Sequence, residues 1–232
     1  MVSVLSPIPF AIWAIVFVGI LPTSTRHAKY CIIIINYMTK WVEAKPLSAI
    51  TEEVARKFFL EQIILRFRIP KKFSSVSHLQ GNGAVEAANK VIFQGIKKRL
   101  GEAKRRWAEE LPWVLWACRT TPRSSIRETP FRLAYGTDAL VPVEVGLETY
   151  RTEIYEVEVN HFSIRARVDL LEEEREAAHQ NNIKYLLQAA QYYNFGIKKR
   201  PFGIGDFVLR EIYASIPMKQ GKLQPNWEDP IK

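Results

Sequence analysis

The stretch KYCIIIINYMTKWVEAKPL, Lys29 to Leu47, decides the fold. Tyr30 to Ile35 is a β-branched run without polar alternation, the pattern of a strand buried on both faces. Tyr37 to Lys40 reads as a turn and Trp41 to Ala44 as a short strand. Upstream, PIPFAIWAIVFVGILP (Pro7 to Pro22) is almost wholly apolar. It falls short of the ~20 residues that cross a bilayer, and prolines bracket it. No basic residue precedes Arg26, so the charged leader of a signal peptide is missing. A buried strand is expected there, completing a three-stranded meander. A membrane anchor built from residues 7–22 is the competing reading.

The chain has 232 residues, a net charge of +9 and 47% hydrophobic content. Its pI near 9.5 favours a polyanionic partner. Six Trp and twelve Phe exclude wholesale disorder. Cys31 and Cys118 form no CxxC pair, and the four histidines have no metal-ligand spacing. A disulfide framework and a zinc ribbon are therefore not expected. A reducing compartment, nucleus or cytoplasm rather than secretion, fits.

Thr51 is the expected N-cap of a helix through TEEVARKFFLEQIILRF, with Glu52 and Glu53 in its positive first turn. Val54, Phe58 and Leu65 make its core stripe, and it ends before Pro70. Gly81, Asn82 and Gly83 then supply a turn. In the helix after it, Val85, Ala88, Ile92, Ile96 and Leu100 face inward; Glu86, Lys90, Gln94 and Lys97 face outward. RRWAEELPWVLWACRTT reads as another helix, interrupted or started at Pro112, with Trp107, Trp113 and Trp116 as core. A loop, a short helix and an extended exit lead to a long helix, Ser163 to Asn194. Its seam is Ile164, Val168, Leu171, Ile183, Leu187 and Ala190. A basic turn and a strand, Phe207 to Ile212, follow.

YMTKWVEAKPLSAIT, QGNGAVEAANK, WAEELPWVLWACRTTPRSSIRETPFRLAYG and FGIGDFVLR with GKLQPNWEDP occur in this order. Together they resemble the integrase part of plant gypsy-type (long-terminal-repeat) retrotransposon Pol polyproteins, from about Leu5 onward. The resemblance implies an α/β fold: a degenerate, truncated RNase H-like integrase core over 1–121, a helical extension and linker over 122–200, and a partial SH3-like β-barrel over 201–232. It also implies an ancestral reaction, the strand transfer of element DNA into host DNA. Two aspartates and one glutamate would hold two Mg²⁺ or Mn²⁺ ions, which activate a hydroxyl and stabilise in-line displacement at a phosphodiester.

Carried over residue by residue, that site is incomplete. Glu86, in the turn Gln80 to Glu86, matches the catalytic glutamate. WAIVFVGI, Trp13 to Ile20, puts Val16 where the first aspartate belongs. After FRIP (Phe67 to Pro70), only residues 71–85 precede Glu86, so the strand bearing the second aspartate and the helix after it are expected to be missing. The first aspartate anywhere is Asp138, and Glu43, at the end of the predicted edge strand, is the one stand-in ligand weighed. Hard cations want several converging carboxylates, and valine offers none. Glu86 is thus expected to be vestigial, with no metal or cofactor held, and the chain to be a pseudoenzyme.

Lys90, Lys97, Lys98, Arg99, Lys104, Arg105 and Arg106 are opposed only by Glu102 between residues 88 and 106. They are expected to neutralise phosphates, giving weak, sequence-independent DNA binding; a solvated helix face is the alternative. No small-molecule substrate and no membrane span are expected, and the resemblance allows an oligomer. A DNA-binding or interaction module reused by the host is the remaining functional alternative. Removing a strand from an α/β core should leave the helices Ala84 to Thr121 and Ser163 to Asn194 as the surviving order.

Overall fold

The computed structural model describes residues 6–74, 83–100, 104–140, 157–195 and 203. The chain divides into two compact units, Met1–Gln191 and Tyr192–Lys232. The expected strand Phe207 to Ile212, the barrel and the extended exit after Leu140 lie outside the described residues.

Four strands form one mixed sheet: β1 (Ile12–Val18), β2 (Tyr30–Asn36), β3 (Val42–Leu47) and β4 (Lys72–Ser74). Their order is β3-β2-β1-β4. The first three make the expected antiparallel meander, with Val16 opposite Ile33 and Ile34 opposite Glu43. The isoleucine run of β2 divides between two cores. Cys31, Ile33 and Ile35 pack in one cluster, and Ile32 and Ile34 in another with Trp13, Trp41, Phe58 and Ile63. A strand covered on both faces has no polar alternation. Pro46 sits in β3, the edge strand, where a missing N–H costs no ladder bond. The centre of the apolar stretch 7–22 is β1, a strand paired on both sides, as the buried-strand reading expects. No described helix is long and apolar enough to cross a membrane.

The turn from β2 to β3 is organised by one buried amide. Asn36 Nδ2 donates to the Ile12 carbonyl of β1 at 3.0 Å. Its Oδ1 accepts from Met38 N, Thr39 N and Thr39 Oγ1. Thr39 Oγ1 in turn accepts from Trp41 N, where β3 is about to begin.

β4 is a correction. Where the sequence suggested a lost strand, Lys72 to Ser74 pair in parallel with Ile12 to Ala14 of β1. Both Lys71 N and Lys72 N donate to the Ala11 carbonyl, and Phe73 packs edge-on against Phe59 at 4.6 Å. Three residues suffice because β1 offers an open edge and Phe59 a surface beside it. The sheet therefore contributes a large share of the buried core, and order is not confined to the helices.

Helix α1 (Glu52–Phe59) starts as expected, Thr51 Oγ1 accepting from Val54 N. It then widens into a π turn, Leu60–Ile64, closed by Leu65 N on the Leu60 carbonyl. The extra residue rotates the stripe. Ile63, five positions after Phe58, is fully buried, and Leu65 is 72% exposed. Helices α2 (Gly83–Leu100) and α3 (Trp107–Thr120) cover the other face of the sheet. Ala88, Ile92 and Ile96 are buried as the stripe predicted. At Gly95 a Cβ would stand 2.9 Å from Val114 Cγ1, so glycine sets how closely α2 and α3 approach. α3 runs unbroken through Pro112, which is exposed. Its buried face is Trp107, Ala108, Leu111, Val114, Leu115 and Cys118. Trp113 lies off that face and is 54% exposed, so only Trp107 of the three expected core tryptophans is fully buried.

Thr129 caps α4 (Pro130–Tyr135), which ends at Gly136 in the left-handed region, φ +73°. The long helix α5 (Val157–Phe195) lies against it. Arg132 pairs with Glu174 at 2.6 Å, and Arg175 Nε donates to the Leu133 carbonyl. Among its described side chains Leu171, Ala178 and Asn182 are buried; Leu187, expected in the seam, is exposed.

Replacing Asn36 by Ala strands the N–H groups of Met38 and Thr39, while the Ile12 carbonyl keeps the Tyr37 N–H as its donor. It should cost about 2–4 kcal/mol. Leu65→Ala, on the side turned out by the π turn, should change stability by less than about 0.5 kcal/mol. Urea denaturation of the two variants measures both.

Candidate functional site

Val16 sits in the middle of β1, half-buried and packed on the cluster that also holds Ile33, Ile92 and Leu111. β4 runs beside β1 and ends at Ser74, level with Ala14 and two residues short of Val16. Its residues are Lys72, Phe73 and Ser74, none of them an acid. Glu86 falls in the first turn of α2; its side chain lies outside the described residues, as does the turn Gln80 to Asn82. The fold thus brings β1, β4 and α2 together around β1. At the position the resemblance assigns to the first aspartate it presents an isopropyl group, and β4 carries no carboxylate. Among the described residues no three His, Cys, Asp or Glu side chains gather closely enough to hold a metal ion. These residues do not fit a two-metal centre.

The basic positions divide. Lys90, Lys97 and Lys98 are exposed on α2, Lys97 and Lys98 standing seven and eight residues after Lys90, about two turns along the same side. Arg105 is exposed on the 3-10 turn before α3. Arg99 and Arg106 are not free cations. Arg99 Nε donates to Glu110 at 2.6 Å and Arg106 Nε to Glu109 at 2.8 Å. The pairing holds the Glu109 carboxyl below the usual carboxylate range, the Arg106 hydrogen bond being the main cause and the Thr25 hydroxyl the next. A charge count ending at residue 106 stopped one turn short of these acids. The side chain of Lys104 lies outside the described residues.

Glu43 is not a stand-in metal ligand. Its side chain is 6% exposed and both oxygens are taken. Oε1 accepts from Arg66 Nη1 at 2.6 Å and from Trp41 Nε1 at 2.9 Å; Oε2 accepts from Arg119 Nη2 at 2.5 Å. Arg119 also donates to the Val42 carbonyl and lies over the Trp41 ring at 4.7 Å. Burial lowers the Arg119 pKa, Glu43 raises it, and the neighbouring Arg66 charge lowers it again. The sequence held one signal for this centre: Glu43 stands in a strand otherwise made to be buried, so it needed partners. Which arginines supply them, 23 and 76 residues further on, had no local signature.

Compared with known proteins, the chain is similar to retroviral Gag-Pol polyproteins. It is 23% identical to that of koala retrovirus, over 96% of this chain and 14% of the polyprotein. It is 26% identical to that of baboon endogenous virus (strain M7), over 96% and 13% respectively. For gibbon ape leukemia virus the figures are 28%, 55% and 9%. The chain spans 14% or less of the length of these polyproteins. No family model matches. Among solved structures it is similar to a chain of the simian T-cell lymphotropic virus intasome in complex with PP2A regulatory subunit B56 gamma. The identity is 14% and the TM-score 0.48, over 60% of this chain and 58% of that one. It is also similar to the HTLV-2 integrase catalytic core domain in complex with magnesium, in its trimeric form. There the identity is 14% and the TM-score 0.44, over 53% and 95%.

Glu43→Gln removes the charge that two guanidinium groups share, leaving Arg119 buried without a counter-ion. It should cost about 3–5 kcal/mol in chemical denaturation. Adding Arg119→Met to it should recover part of the loss.

Proposed function

We propose that the chain is a decayed integrase region of a retroelement Pol polyprotein, inactive in strand transfer and retaining weak, sequence-independent DNA binding. The observation that carries this reading is Val16: an apolar side chain packed on the core at the position the resemblance assigns to a metal-binding aspartate. A single glutamate, Glu86, cannot hold two divalent ions against water, so the attacking hydroxyl would have no activator and the leaving oxygen no counter-charge. The motif order supports the gypsy-type lineage, and likeness to Gag-Pol polyproteins over 96% of the chain supports a Pol origin. The nucleus, where integration takes place, is the compartment this reading assigns, and a partial SH3-like barrel over 201–232 belongs to it.

The residual binding rests on Lys90, Lys97, Lys98 and Arg105. All four are exposed, and none makes an ion pair among the described residues. Lysines on a helix face contact phosphates as point charges, which fixes position but reads no sequence.

Two outcomes test this reading. With an oligonucleotide carrying element ends, Mg²⁺ or Mn²⁺ should yield no joined product, and Val16→Asp alone should yield none either, since the second aspartate is still wanting. Joined product from the unmodified chain overturns the reading. In duplex binding followed against salt, Lys97→Gln with Lys98→Gln should weaken affinity equally for unrelated sequences and flatten the log–log salt slope by about 2. An unchanged slope removes α2 from the interface.

A further inference from the structure

A cavity of about 390 Å³ lies at the edge strand β3, at the other end of the sheet order from β4. Its polar lining is Arg26, Glu43, Gln62, Arg66 and Arg119, and Leu115 of α3 contributes to its apolar wall. Three guanidinium groups against one carboxylate leave an excess of two positive charges. We propose that this cavity is a binding site for a phosphate dianion, free or as the terminal group of a small phosphate monoester.

The hydrogen-bond inventory supports the assignment. Glu43 occupies one nitrogen of Arg66 and one of Arg119, and Arg119 Nε goes to the Val42 carbonyl. Gln62 accepts from the same Arg66 nitrogen that Glu43 uses. Arg66 Nε and Nη2, Arg119 Nη1 and the whole Arg26 guanidinium have no acceptor among the described residues. Arg26 is exposed, standing in the β1–β2 loop with its side chain unpaired among those residues. Glu43 would repel an anion if it faced one. Both its oxygens are instead capped by guanidinium and indole N–H groups, so the carboxylate in the lining has its charge opposed at close range. The same capping holds Arg66 and Arg119 in place before any ligand arrives, reducing the ordering cost of binding. Planar guanidinium forks match phosphate oxygens two at a time. The Arg66 charge also disfavours that of Arg119, which an incoming dianion would relieve. This site is independent of the DNA-binding reading, since Lys90, Lys97, Lys98 and Arg105 do not line it.

The test uses the full chain without DNA. Inorganic phosphate at pH 8 should raise the melting temperature saturably, beyond sodium chloride at equal ionic strength. A nucleoside monophosphate binding more tightly than inorganic phosphate would identify the monoester as the source; equal affinity would identify the free anion. Between pH 6 and 8 phosphate binding should strengthen as the second proton leaves, and sulfate binding should stay constant, because arginines do not titrate there. Arg26→Gln removes a cation that makes no hydrogen bond or ion pair among the described residues, its charge acting only at longer range on Glu109, and Gln62→Glu adds a carboxylate beside Arg66. Each should weaken phosphate binding at least tenfold with the ligand-free melting temperature nearly unchanged. No saturable shift beyond chloride, or undiminished affinity in both variants, overturns the proposal.

Discussion

The carboxylate of Glu43, gripped by Arg66, Arg119 and Trp41, is the interaction on which the arrangement of the molecule depends. It joins three pieces of chain far apart in the sequence: the edge strand β3, the turn that follows α1, and the last turns of α3. Apolar packing alone would let α1 and α3 slide along their faces of the sheet, since hydrophobic contact is non-directional. A buried ion cluster is directional, and it tolerates no missing member. Whether such a cluster adds net stability over an apolar replacement is a separate matter. Here it fixes register, and in doing so it lines a cationic cavity.

A carboxylate can be kept in a fold only where something holds it. At Glu43 two guanidinium groups do so. At Val16 the surroundings are Ile33 and the inward faces of α2 and α3, and an isopropyl group is what such surroundings accept. Burying a methyl pair there stabilises the sheet, and burying an unpartnered aspartate in its place would cost stability. On the proposed reading the scaffold outlasts the chemistry: β1, β2 and β3 are paired, β4 adds three residues to the sheet, and α2 packs on it.

Most of the fold was legible in the sequence, for local reasons. The isoleucine run announced a strand covered on two faces, Thr51 announced a helix start, and the spacing of Ala88, Ile92 and Ile96 announced a packed stripe. The misreadings share another cause: each depended on something outside its own window. Leu65 turned outward because a π turn inserted one residue into a regular period. Trp113 left the core because the buried face of α3 is set by Leu111, Val114 and Leu115. Lys72 to Ser74 carry no strand pattern of their own and pair only because the edge of β1 is open. At the candidate site, Val16 could be found by motif alignment, and the pairing of Arg99 and Arg106 by reading one turn further. The partners of Glu43 could not be found that way, because they depend on tertiary contact.

The central claim, a core that has kept its scaffold and lost its ion-binding side chains, is tested most directly by titrating Mn²⁺ into the full chain and following water-proton relaxation. The account predicts no enhancement beyond that of weak, non-saturating surface association, identical in Glu86→Gln. Saturable binding of one or two Mn²⁺ per chain, abolished by Glu86→Gln, would contradict it.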